Sequence, residues 1–450
     1  MFLLRRLLYF PAILMSTAAL KQRRGAFDIG SGTVKLQISD VENGRILSTI
    51  FGEERPCAFG ADFLKSQDGT LSTSIQEKGK RLMRELKQIG DDNGCTDYSA
   101  IATAVFRNAH NGQDFVTEAA RVLGIDKVLI VSQEVEAELG YATAQAMSNC
   151  KTCVAWDSGG GSFQISKKVI RSSVSYEEED DDAASNIDSM KTDSSLCSST
   201  STSSGTSTMD ATATAKSTSS LEMYMGAFGS GYANKTLVEV VQGRKCGDLA
   251  TIPLNPIDLR DAEKLADVLE RTLQEADVLR GSGVPTWLVG SEQVVAIGGP
   301  NSVFQLVCNV LTALNRRRKR RSSSLISDLS HVSGSSSGSS DSCHSGVTDV
   351  DTLPGIDDDD ASYTVDSFTV ADVRTALLEC CGKTDKFLQE HFQPPQYSDP
   401  TTIIVPKLAL VLAVMNHTKM KRVKAVPCIG SCAGMLITES LWHSSSVDVK

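Results

Sequence analysis

Long apolar runs are missing from this chain. The N-terminal candidate, residues 7–20, is short of the roughly 20 residues that a span needs, and Pro11 interrupts it, so no membrane span is expected. Zinc-type ligand spacing is missing as well. The 12 cysteines are scattered: Cys150 and Cys153 form a lone CxxC, Cys380 and Cys381 are adjacent, and Cys428 and Cys432 lie four apart. No second pair or histidine pair sits at a matching distance, so reduced thiols of a cytosolic or organelle-matrix protein are the expectation. An excess of base is also missing, since the net charge is −10. Residues 172–220 carry −7 of it and residues 316–366 carry −3, which leaves the rest near neutral. The acidity therefore belongs to two segments and does not argue against an anionic substrate. Nucleic acid is not an expected partner. What the first 22 residues lack is acid: they hold Arg5, Arg6 and Lys21 around the apolar run. That pattern reads as a targeting segment, with a mitochondrion or other organelle matrix as destination and the cytoplasm as the alternative.

Two stretches have almost nothing to bury. Residues 172–220 run from YEEEDDD into Ser/Thr repeats, and residues 316–366 run from RRRKRRSSS to GIDDDDAS. Both are expected to be disordered inserts. The basic run Arg316–Arg321 suits the end of a helix, with an import or phosphorylation signal as the alternative. Between these stretches the chain alternates strand and helix. GAFDIGSGTVKLQISDVENGRILSTIFGEE reads as a three-stranded meander turning at Asn-Gly. Helical spacing follows over 72–95, a buried strand over 98–106, a helix closing at Gly124, a strand over 126–132 and an alanine- and glutamate-rich helix over 133–148. CVAWDSGGGSFQIS then repeats the grammar of the opening: strand, glycine turn, strand. Helices are expected over 259–279, 370–381 and 404–420, with a strand, Gly-Gly turn and helix over 292–315. A strand over 422–430 and a last helix over 431–442 follow.

The two glycine turns carry the chemistry. A strand entering such a turn leaves backbone N–H groups outside the ladder, and glycine lets them approach a ligand closely. DIGSGT and DSGGGS both open on an aspartate, at Asp28 and Asp157, that can hold Mg²⁺ or order a water. Two such loops in successive halves describe facing loops with a phosphate chain between them.

The blocks AFDIGSGTVKLQIS, TAVFRNAHNGQDF, SQEVEAELGY, DSGGGSFQIS, VVAIGGPNSVF and KAVPCIGSCAGML resemble, in order, the exopolyphosphatase / guanosine pentaphosphate phosphatase (Ppx/GppA) family. The resemblance implies an α/β fold of two ribonuclease H-like (actin-like ATPase) domains, residues 23–143 and 144–443, with a cleft between them. It implies removal of terminal phosphate from polyphosphate or guanosine pentaphosphate with Mg²⁺. By the same resemblance Gly30, Ser31 and Gly32 form one phosphate loop, and Gly159, Gly160, Gly161 and Ser162 form the other. Arg107 takes a phosphate-binding place, with Asn111 beside it in the motif. Glu136 falls at the general base, and Glu134 and Glu138 are left as solvated helix residues. Asp28, Asp157 and Gln164 fall at the metal. Gln164 departs from the family pattern, which has glutamate there, so weakened metal use and reduced turnover are expected. The alternatives are a phosphometabolite-binding regulator and an ATPase or kinase of the same superfold. A homodimer is a candidate assembly.

Overall fold

The computed structural model describes residues 21–148, 150, 153–174, 215–245, 255–332, 364–392 and 403–442. The first half is built from strands β1 (Gln22–Ile29), β2 (Thr33–Glu42) and β3 (Arg45–Pro56), then helices α1 (Phe59–Lys65) and α2 (Thr73–Asp92). Strand β4 (Asp97–Ala102), helices α3 (Ala104–Asn108) and α4 (Gly112–Leu123), strand β5 (Leu129–Ile130) and helix α5 (Gln133–Ser148) follow. The second half opens with strands β6 (Val154–Ser158), β7 (Phe163–Val174) and β8 (Ala215–Gly226), then helices α6 (Ser230–Thr236) and α7 (Leu259–Leu279). Strand β9 (Val294–Gly298), helix α8 (Val303–Val332), strand β10 (Ser367–Phe368) and helices α9 (Val370–Cys380), α10 (Asp385–Phe392) and α11 (Ile404–Thr418) come next. Strand β11 (Val423–Pro427) and helix α12 (Cys432–Ile437) end the described chain, apart from a short 3₁₀ turn.

The first sheet has the order β3-β2-β1-β4-β5 and the second β10-β11-β9-β6-β7-β8. In the first, β1 pairs antiparallel with β2 and parallel with β4, which continues parallel to β5. In the second, β6 pairs antiparallel with β7 and parallel with β9, which continues parallel to β11. The duplication that the two glycine turns suggested thus extends through five strands of each sheet. The Asn43-Gly44 turn has positive φ at both residues, 51° and 66°, the geometry that a twisted two-residue hairpin demands. Helix α4 closes on Gly124 in the left-handed region at φ 64°. Among the described residues, the outer parts of β7 and β8, from Lys168 onward and up to Glu222, belong to a separate compact unit, and the other described residues form the main one.

Phe27, Leu36, Phe59, Phe106 and Phe115 anchor the core under the first sheet. Trp156, Phe163, Phe304 and the apolar α11 anchor the second. Helix α11 is buried almost all round, consistent with its near-continuous apolar sequence. Helix α12 returns from the C-terminus to the first half, where Cys432, Met435 and Leu436 pack with Ala26, Val41, Ile101 and Leu139.

Several expectations need correction. The strand expected over 98–106 stops at Ala102, and residues 104–108 are helical. Phe106 turns inward there to meet Phe59 and Phe115, at ring-centroid distances of 5.0 and 5.2 Å. Of the strand expected over 126–132, only Leu129–Ile130 pairs. Strands β7 and β8 run into the first supposed insert as far as Val174 and from Ala215. Helix α8 continues to Val332, so the basic run lies inside a helix and not at its end. The rest of both inserts, and residues 1–20 of the targeting segment, lie outside the described residues. Among the described residues no helix is long and apolar enough to cross a membrane.

Candidate active site

Asp28 sits near the end of β1 and Asp157 near the end of β6, each leading into its glycine turn. The turns close identically. Gly30 N–H donates to Thr33 O, and Gly159 N–H donates to Ser162 O, both at 2.9 Å. In each case the donor lies two residues past the aspartate and the acceptor five past it. The residue seven past the aspartate returns opposite it in the ladder, so Asp28 faces Lys35 and Asp157 faces Gln164. Cross-strand partners point to the same side of a sheet. Lys35 Nζ accordingly reaches Asp28 Oδ2 at 3.0 Å. Gln164, almost fully buried, instead donates from Nε2 to Ser162 Oγ at 3.0 Å.

The two turns press against each other. A Cβ placed on Gly161 would lie 2.8 Å from Ala104 Cβ and 2.9 Å from Ser31 Oγ. None of Gly159, Gly160 and Gly161 is among the glycines with positive φ. What these glycines supply is therefore room for close approach, not a left-handed turn. The resulting cleft has about 180 Å³ of internal space. Its lining includes Asp28, Gly30–Gly32, Glu136, Asp157, Gly159–Ser162 and Gln164, so all the residues expected in the site but Arg107 are in the wall.

Glu136 lies in the first turn of α5, and it is 8% exposed while Glu134 and Glu138 face solvent. Arg107, carried by α3, donates from Nη1 to Glu136 Oε2 at 2.6 Å and to Val131 O at 2.7 Å. The guanidinium expected on phosphate is thus engaged by the glutamate. Burial pushes the Glu136 carboxyl up to about 7; Arg107 opposes this, and Asp157 and Asp28 add to it. A carboxylate with that value suits a general base near neutral pH. Gln133, not singled out from the sequence, ties the same helix to the second loop. Its Nε2 donates to Phe163 O at 3.2 Å and to Gly226 O at 3.0 Å. Asn111 is structural, bonded through its amide to both backbone groups of Leu71.

Three charged residues of the lining were also missed: Lys35, Lys407 and Glu54. Lys407 had a readable signal, a lone charge in the apolar run IVPKLALVLAV. Burial lowers the Lys35 ammonium, but Asp28 and Glu54 outweigh it, so its pKa stands above the ordinary value. Burial pushes the Asp157 carboxyl up to about 6, with Lys35 opposing and Asp28 adding.

These donors fit Mg²⁺ in a limited way. Asp28 Oδ2 already accepts from Lys35 Nζ and from Ser431 N. Asp157, half-buried opposite an uncharged amide, is the carboxylate whose charge a cation would best compensate. Among the described residues no group of three His, Cys, Asp or Glu forms a ready cage. They would suit an ion that takes most of its oxygen ligands from outside the chain, as Mg²⁺ commonly does.

The family model described as the Ppx/GppA phosphatase family matches residues 37–176. Exopolyphosphatase 1 of Mycobacterium tuberculosis (strain ATCC 25618 / H37Rv) is 25% identical over 154 residues, 33% of this chain and 42% of that relative. The chain thus matches less than half the length of that curated relative. Among solved structures, the Ppx/GppA family member of Aquifex aeolicus aligns with a TM-score of 0.53 at 14% identity, covering 94% of this chain and 99% of that one. An exopolyphosphatase from Cytophaga hutchinsonii aligns with a TM-score of 0.56 at 14% identity, covering 93% and 97%. At those identities the structural likeness speaks for the fold.

Proposed function

We propose that this chain acts as a member of the Ppx/GppA phosphatase family, whose model matches residues 37–176, and that it removes terminal phosphate from inorganic polyphosphate or guanosine pentaphosphate. The observation that carries the reading is Glu136: a buried carboxylate of pKa about 7, in the wall of a cleft between two glycine turns. Water attacks the terminal phosphorus. The bond from that phosphorus to the bridging oxygen breaks, the water proton passes to Glu136, and the shortened chain leaves with the bridging oxygen. Arg107 holds the Glu136 carboxylate in place and keeps its pKa from rising further. The backbone of the two turns, the Ser31 and Ser162 hydroxyls and Lys35 bind and orient the phosphates. Asp157, Asp28 and the Gln164 carbonyl are the proposed holders of Mg²⁺, which when bound neutralises charge on the phosphate oxygens.

The test is phosphate release from polyphosphate, guanosine pentaphosphate and ATP by the wild type and Glu136→Gln. Loss of general-base catalysis is typically worth about 10²–10⁴-fold, and a variant as active as wild type would remove Glu136 from the role. Gln164 supports a second reading, a binding protein for phosphorylated metabolites, because it leaves Asp157 without a second carboxylate opposite. Binding of these compounds with no release at saturating Mg²⁺ would select that reading. Release from ATP alone would select the nucleotide-hydrolysing alternative.

A further inference from the structure

Four carboxylates line the cleft: Asp28, Glu54, Glu136 and Asp157. Three of them have roles above, and Glu54 has none. It projects from β3 in the first sheet and reaches the turn between β9 and α8 in the second half. There Glu54 Oε1 accepts from Asn301 N at 3.3 Å and from Asn301 Nδ2 at 3.0 Å. Its Oε2 lies over Gly299, where an added Cβ would come within 2.5 Å of it. Lys35 feels its charge directly. Lys407, 7% exposed, donates from Nζ to Asn301 O at 2.5 Å and so stands at the same turn.

Two amide donors hold this carboxylate, Lys35 acts on its charge, and Lys407 binds the carbonyl of the same turn. Such a set suits an anion with several acceptor oxygens, and phosphate is the anion that the rest of the cleft is read to bind. Glu54 offers the chain's own anion in its place. It also leaves the lining with four carboxylates against two lysines, which opposes entry of a polyanion.

Resting on the phosphoanhydride reading above, we propose that Glu54 is the specificity-determining residue of the cleft. Its carboxylate holds the position that a non-terminal phosphate of the substrate takes, and that phosphate must displace it to bind. Glu54 thereby lowers affinity for bare polyanionic chains and makes binding depend on counterions brought with the substrate.

The experiment is calorimetric binding of sodium tripolyphosphate to the full chain in metal-free, low-salt buffer. Wild type, Glu54→Gln and Glu53→Gln are compared. Glu53 is the control, a neighbouring carboxylate on the same strand that pairs with Arg55 at 2.9 Å. Glu54→Gln should tighten binding about tenfold or more, equivalent to about 1.4 kcal/mol. The gain should shrink as salt rises, and Glu53→Gln should leave the affinity unchanged. Equal or weaker binding by Glu54→Gln overturns the gate alone. An equal gain from Glu53→Gln overturns it too, since general charge reduction would then suffice. No binding by any of the proteins, either in this buffer or with Mg²⁺ added, overturns both the gate and the phosphoanhydride reading. Should Glu54→Gln melt well below wild type, Glu54→Ala carries the same expectation.

Discussion

Replacing Arg107 by methionine keeps the apolar stem and removes the guanidinium that donates to Glu136 Oε2 at 2.6 Å. Burial is the largest influence on Glu136 and raises its pKa; the charge and hydrogen bond of Arg107 are what hold it to about 7. A hydrogen bond to a charged group contributes about 1.5–3 kcal/mol, and each pKa unit corresponds to about 1.4 kcal/mol. The variant carboxyl should therefore titrate at roughly 8–9 instead of about 7. Two measurements follow. In the pH profile of kcat/KM for phosphate release, the acid limb should move up by more than one pH unit. In thermal unfolding the sign is set by linkage. Glu136 binds its proton more tightly folded than unfolded, so stability falls as pH rises from the ordinary carboxylate value to the folded pKa, and levels above it. In wild type that decline should end near pH 7, and in the variant it should continue to roughly pH 8–9. Asp157, with its carboxyl raised to about 6, adds a decline common to both proteins, so the difference isolates Glu136. An unmoved limb together with superimposable stability profiles would refute the claim that Arg107 sets the ionisation of Glu136.

Gly430 has φ 52°, and a Cβ there would lie 2.2 Å from Asp28 Oδ2. Gly430→Ala should cost about 1–3 kcal/mol in denaturant unfolding and displace Asp28; an unchanged midpoint and activity would contradict the packing described. Gln164→Glu sets a carboxylate opposite Asp157 and should lower the Mg²⁺ concentration needed for half-maximal thermal stabilisation, by about tenfold. An identical Mg²⁺ dependence in both proteins would count against the metal assignment. Outside the cleft lining, Tyr224 OH donates to buried Asp277, 3.1 Å from Oδ1, and His417 Nε2 lies 2.8 Å from Oδ2. Tyr224→Phe should destabilise by about 1–2 kcal/mol with kcat unchanged, and a fall in kcat would couple this cluster to the site.

The parts of the site written as local spacing were legible in the sequence. An aspartate, a glycine turn and a returning strand fix their own geometry through short-range bonds, so Asp28 and Asp157 could be placed from seven-residue windows. Glu136 was placed by the resemblance, and the structure buries it while Glu134 and Glu138, on the opposite face of the helix, are exposed. Arg107 was placed by the resemblance, and its bond to Glu136, a residue 29 positions away, is written in no local window. Glu54 and Asn301 lie 247 positions apart, and only the approach of β3 to the β9–α8 turn brings them together. The helical course of Arg316–Arg321 was hidden for a different reason, since composition reports what a segment can bury and not how far a preceding helix propagates.

The duplication itself carries the functional argument one step further. Seven residues past each aspartate, one half of the chain has Lys35 and the other has Gln164, on equivalent rungs of equivalent ladders. Lys35 gives Asp28 its counter-charge from within the chain. On the other side the equivalent rung is neutral, and the charge of Asp157 must be met by Lys35 at longer range, by a proton or by a cation from solution. Two turns closed by the same hydrogen bond are therefore electrostatically unequal. One side of the cleft carries a cation of its own, and the other leaves a carboxylate with a neutral partner. On the proposed function, a phosphate chain accompanied by its metal would supply that missing charge, whereas a bare chain would meet the charge of Asp157 without it.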